Sequence, residues 1–192
     1  MSIKSIKTGW NGISALSGND QWFGDFEAIA VTTLTTSAAS IDFSSIPSTY
    51  THLQLRIIAR SDYADILTGG RLRFNSDTGS NYAWHRLYGD GASATASAST
   101  SQTQIRIDRM TGTSAGTNTF GVMVTDVLDY GNTNKYTTIR SLGGYDNNGN
   151  GWAVLASGLW MNTAAVTSIS FANIDGGNLI ANTQVALYGI RG

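Results

Sequence analysis

The chain has 192 residues, a net charge of −1 and 13% charged residues, about half the usual charged share. Its 41% hydrophobic content marks a globular chain, and its length fits one domain that buries a core without staples. There is no cysteine, which excludes disulfides and thiolate metal sites. No basic run offers the footprint of a nucleic-acid binder, and no stretch of about 18 apolar residues offers a membrane span.

Residues 1–24 read as an N-terminal arm. Ile3, Ile6, Trp10, Ile13 and Leu16 recur every three or four residues, a weak amphipathic pattern. Gly9, Gly12 and Gly18 disfavour a free helix. The segment lacks the continuous apolar stretch of a secretory signal. Two readings stand: an arm ordered against another molecule, with those five side chains as partner contacts, or a segment packed on the main domain.

From residue 25 to the end, strands are expected. Glu27 is the only glutamate, and lysine occurs only at Lys4, Lys7 and Lys135; helix surfaces use these residues, while Ser, Thr, Asn and Gly suit strands and turns. Residues 25–34 are β-branched, and a Ser/Thr/Ala linker follows. In 50–59, Leu53, Leu55 and Ile57 alternate with His52, Gln54 and Arg56. Residues 71–75 point Leu72 and Phe74 inward, and 82–88 follow a Gly-Ser-Asn turn. Residues 91–103, "GASATASASTSQT", read as a low-complexity loop, flexible in isolation. In 103–109, Ile105 and Ile107 point inward; 119–130 is the longest apolar run; "GNTN" joins it to 135–144 as a hairpin. Segments 151–161, 166–174 and 183–190 complete about ten strands. The pattern calls for an all-β antiparallel sandwich over 25–192, jelly-roll-like, with an up-and-down barrel or immunoglobulin-like sandwich as alternatives.

Catalytic chemistry finds little support. His52 and His85 are the only histidines and no G-x-S-x-G elbow is present. Alternation puts His85 with Ala83 and Leu87, opposite Trp84 and Arg86, where a half-buried packing role is expected. A glycosidase pair would have to be mostly Asp, yet Asp62, Asp65, Asp77, Asp90, Asp126 and Asp129 sit near strand ends or loops, where Asp favours turns. "DNNGNG", Asp146 to Gly151, imitates the start of a calcium loop, but Ser157 stands at its twelfth position. A Gly/Asn hairpin turn explains it better. No metal, cofactor or catalysis is therefore expected. Trp84 and Trp152, near turns, are the candidate glycan contacts.

Several blocks then carry a resemblance. "YTHLQLRIIAR", "LRFNSDTGSNYAWHRLYGDGASATASA", "VLDYGNTNKYTTIRSLGGYDNNGNG", "SGLWMNTAAVTSISF" and "VALYGI" follow one another. In this order they resemble a group of tailed-bacteriophage virion proteins, from about residue 25 to the end. The resemblance implies a β-sandwich structural protein of the virion and carries over no catalytic residue. The chain's size and its arm fit a capsid decoration, or cement, protein that binds the major capsid protein as a homotrimer. The alternative is a tail-fibre or tail-associated module that binds glycan.

Overall fold

The computed structural model describes residues 25–191. Twelve strands follow in chain order: β1 (Phe26–Thr33), β2 (Ser40–Phe43), β3 (His52–Ala59), β4 (Leu67–Phe74), β5 (Tyr82–Gly89), β6 (Ala94–Gln102), β7 (Ile105–Thr111), β8 (Gly121–Leu128), β9 (Thr137–Asp146), β10 (Gly151–Trp160), β11 (Ile169–Asn173) and β12 (Gln184–Ile190). No helix occurs among the described residues. The strands form an eight-stranded sheet, β1-β12-β3-β8-β9-β10-β5-β6, and a four-stranded sheet, β2-β11-β4-β7. All pairings between these strands are antiparallel. The molecule is thus an all-β, two-sheet antiparallel sandwich. The arm, residues 1–24, lies outside the described residues, and so do Ile3, Ile6, Trp10, Ile13 and Leu16.

The winding is nested. β1 pairs with β12, β2 with β11, β3 with β8, and β4 with β7. Two hairpins interrupt this nest: β5–β6 between β4 and β7, and β9–β10 between β8 and β11. Both add to the β8 edge of the large sheet, giving a wing in the order β9-β10-β5-β6.

The core lies between the sheets, and period-two alternation builds it. Leu53, Leu55 and Ile57 of β3 face Leu72, Phe74, Ile105, Ile107 and Phe171 of the small sheet, all buried. Each such side chain contributes about 1.5–3 kcal/mol of burial. Trp160 is buried against Phe74 and Tyr82, with ring centroids 5.6 and 6.3 Å away.

Two segments depart from the sequence reading. Residues 91–103 are not a flexible loop, because 94–102 form β6, paired in register with β5. Its small side chains alternate like those of any strand, with Ala96 opposite Leu87 and Ala98 opposite His85. Low complexity hid a period of two. The linker after β1 contains β2, whose Ile41 and Phe43 are buried; four residues are too short for a pattern to register.

Candidate functional site

Residues 74–91, the stretch with the densest polar and aromatic content, form a wall. The Asn75 side-chain oxygen accepts the Thr167 and Ser168 amides at 2.8 and 3.1 Å. Asp77 accepts from Gly79 N–H, Asn81 Nδ2 and Trp160 Nε1, each at 2.8 Å. The Asn81, Gly79 and Trp160 donors hold the Asp77 carboxyl below its ordinary value, against an upward push from burial. The Tyr82 hydroxyl closes the loop onto the carbonyls of Phe74 and Asp77, and burial pushes its pKa up to about 12.

His85 is exposed on the outer face of the large sheet, between Ala98 and Ser157, rather than half-buried. Both sheets pack through their inner faces, so the outward face of β5 meets no second layer among the described residues. His52 Nδ1 accepts the Asp129 amide at 2.9 Å. Four strand spacings, about 19 Å, separate the two histidines. Each aspartate picked out by sequence has local donors. Asp62 accepts from Asn178 at 2.7 Å, Asp65 from Ile66 at 2.6 Å and Asp90 from Ser93 at 2.8 Å. Asp129 meets Lys135. The Asp146–Gly151 segment is a two-residue hairpin turn: Asn147 N–H donates to Asn150 O at 2.8 Å, with Asn148 and Gly149 both at positive φ. No group of three or more His, Asp or Glu converges among the described residues.

Trp84 and Trp152 both face inward on the wing, but they are not brought together. Trp84 lies opposite Gly158, six residues along β10 from Trp152, about 20 Å. Trp84 packs against the core. Trp152 stacks on Tyr88 at 4.8 Å, with the Arg109 guanidinium 4.7 Å from its ring centroid. It borders a shallow groove of about 440 Å³ with Asp90, Asp146 and Asn150.

No pattern in the sequence announces the charge cluster beneath the wing. Asp108 of β7 is buried and accepts from Arg86 of β5 and from Arg106 Nε, the latter at 2.9 Å. Arg106 also lies 3.5 Å from Asp175. Opposite, two β7 residues, Asp108 and Arg109, face the single Gly69 of β4, a bulge that breaks the alternation set by Ile105 and Ile107. Gly69 makes the room, since a Cβ there would stand 2.5 Å from Asp108 Oδ1. Burial lowers the Arg109 pKa, Asp108 opposes that shift, and Arg106 and Arg86 reinforce it.

The outer face of the large sheet is the least expected feature. Adjacent strands align Ala96, Leu87, Leu155, Leu142 and Val124 in one row. Leu87, Leu155, Leu142 and Val124 are 53%, 49%, 63% and 41% exposed, and Val122 and Ile58 continue the band one row on. A groove of about 660 Å³ runs beside it over β5, β6, β9 and β10, lined by Leu87, Ala96, Ala98, Leu128, Leu155 and His85. The neighbouring row is polar. Arg140 Nη2 and Gln54 Nε2 donate to Asp126 at 2.8 Å each, and Arg56 Nε donates to Gln54 at 3.2 Å. Burial raises the Asp126 pKa, but the Gln54 and Arg140 bonds and the Arg140 charge bring it below its ordinary value. Arg56 then lies over Phe26 and Tyr188, which stack at 4.6 Å. A monomer rarely leaves so continuous an apolar band in water. A signal was present in β8, whose Val122 and Val124 alternate with Met123 and Val127, so the strand is apolar on both faces. No protein-family model, no curated protein and no solved structure matches the chain.

Proposed function

We propose that this chain is a structural protein of a tailed-bacteriophage virion: a capsid decoration, or cement, protein that binds the major capsid protein as a homotrimer and catalyses no reaction. The observation that carries the reading is the bare apolar band across the outer face of the large sheet. Such a band fits assembly, because contact with another surface removes it from water at about 25 cal/mol per Å². The nested pairing β1–β12, β2–β11, β3–β8 and β4–β7 supports the jelly-roll form of the sandwich, and the sequence blocks from residue 25 onward support the phage setting.

Light scattering on the purified chain, repeated with capsid shells that lack it, tests the proposal. A trimer that co-sediments with shells is the expected result. A monomer that ignores shells overturns it, and a trimer that ignores shells moves the protein to the tail. Deleting residues 1–18 is expected to abolish shell binding while the β domain stays folded; undiminished binding removes the arm from the contact.

The glycan-binding alternative draws on one observation, the Trp152 groove with Asp90, Asp146 and Asn150. Stacking on sugar would use Trp152 directly. Glycan-array binding that disappears in Trp152→Ala but survives Trp84→Ala would favour it over the capsid role.

A further inference from the structure

We infer that the outer face of the small sheet docks an extended acidic segment of a partner protein, whose carboxylates meet Arg71 and Arg73. Leu72 and Phe74 take the core side of β4, so Arg71 and Arg73 point outward together, about 7 Å apart. Arg106 of β7 stands directly opposite Arg71, a pairing of like charges that destabilises a sheet unless a counter-charge lies close by. Arg106 has its counter-charges in Asp108 and Asp175. No ion pair joins Arg71 or Arg73 to a carboxylate among the described residues. Arg73 Nε donates to the Thr103 carbonyl at 3.0 Å. Arg71 Nη1 is shut off from water and has no hydrogen-bond partner among the described residues. Asp42, on the same face, stands beyond β11, opposite Ser170, and accepts from the Ser40 hydroxyl.

Burial, and then the Arg73 charge, lowers the Arg71 pKa, with Asp42 opposing the shift; a guanidinium nevertheless stays charged at neutral pH. Part of the desolvation that docking requires is therefore already present in the fold, and an incoming carboxylate gains a charge-assisted bond. Spacing selects the occupant. Carboxylates at alternate positions of an extended segment also stand about 7 Å apart, so one segment meets both guanidiniums. The second bond then forms at the raised effective concentration of a linked pair, which a single small ion lacks. The net charge of −1 and the absence of a basic run give nucleic acid little attraction. The arginine face and the apolar band lie on opposite sides of the sandwich, so the two contacts do not compete, and the inference does not rest on the capsid reading.

NMR titration of the isotope-labelled full-length protein with a short peptide of alternating Glu and Thr tests the inference. The Nε–H signals of Arg71 and Arg73 are expected to shift and saturate, and a peptide with Gln in place of Glu is expected to leave them unmoved. Arg71→Gln combined with Arg73→Gln is expected to weaken the affinity about tenfold or more. Lys135→Gln combined with Arg140→Gln makes the same charge change on side chains already paired with Asp129 and Asp126, and is expected to leave the affinity within about twofold. Arg73→Gln alone carries the same reading should the double variant not fold. Undiminished binding by the Arg71/Arg73 variant, or an equal loss in both double variants, overturns the inference. So does inorganic phosphate moving the two signals at the peptide's own concentration, because the face then takes a free ion. Single-stranded DNA displacing the peptide overturns it too, since the face is then a nucleic-acid contact. A chain that takes the peptide yet ignores capsid shells keeps this inference and loses only the capsid role.

Discussion

Asp108→Asn tests whether the wing is held from beneath by charge. The substitution keeps the side-chain volume and removes one negative charge that is 0% exposed, between Arg86 at 13% and Arg106 at 15% exposure. Three guanidiniums, those of Arg86, Arg106 and Arg109, would then face only Asp175, 33% exposed and 3.5 Å from Arg106. Removing one partner of a buried pair destabilises by about 3–5 kcal/mol, because the remaining charges stay desolvated without compensation. For a domain of this size each kcal/mol moves the midpoint by about 2–4 °C, so thermal unfolding followed by circular dichroism should show a drop of about 6–20 °C. Asp126→Asn is the matched control. Its partner Arg140 is 69% exposed, and a solvent-screened pair contributes about 1 kcal/mol or less. Equal midpoint shifts for the two variants would refute the argument that burial, rather than the presence of an ion pair, sets the magnitude.

Asp77 gives a pH dependence. Its folded pKa lies below its ordinary value, so its stabilisation is complete above the unfolded value of about 4 and is lost as pH falls through the folded one. Discounted for solvent screening the effect is about 1 kcal/mol, and the midpoint gap between wild type and Asp77→Asn should close between neutral pH and about pH 2–3; a constant gap contradicts the assignment. Leu142→Asp, at a side chain standing free in water, is expected to leave the midpoint within about 0.5 kcal/mol equivalents while altering the oligomer seen by light scattering. Gly149→Ala, at φ +100° with open space around it, should destabilise by about 1 kcal/mol through backbone strain alone. Calcium or a chelator should leave the melting curve of the wild-type protein unmoved, since Asp146 accepts the Asn148 amide at 2.8 Å as part of the turn; a calcium-dependent rise would reinstate the metal loop.

How much of this was legible depended on which contacts were local. Leu53/Leu55/Ile57, Leu72/Phe74 and Ile105/Ile107 alternate within a single strand, so the core face could be assigned before any partner was known. The Asn148–Gly149 turn is local too. Asp108 is the opposite case. Its burial depends on Gly69, 39 positions upstream, yielding space across a bulge, and on Arg86 descending from an inserted hairpin. No window of the sequence contains all three. β6 was obscured for another reason: Ala, Ser and Thr alternate with too little contrast in polarity to separate strand from linker.

The two inserted hairpins explain why polar chemistry lies under the wing and bare apolar surface on top. β5–β6 and β9–β10 extend the large sheet past the four strands that cover its inner side. β7, the edge strand of the small sheet, still packs under β9, β10 and β5, where Ile139, Ala156 and Trp160 are buried, but the side chains beside Asp108 are not apolar. Arg86, Tyr88 and Trp152 instead hang from the wing and are gathered by Asp108, Arg106 and Arg109 at the edge of β7. That cluster can desolvate part of its charge because each guanidinium finds a carboxylate or an aromatic ring. On the outer side no comparable charges gather over β9, β10 and β5: Leu142, Leu155 and Leu87 meet in register across three strands. A wing closed by charge below and left apolar above has only one side on which a further layer adds hydrophobic stabilisation. Layer stacking in sandwiches proceeds through apolar faces, so the outer side is where a partner surface would add a third layer to the two sheets.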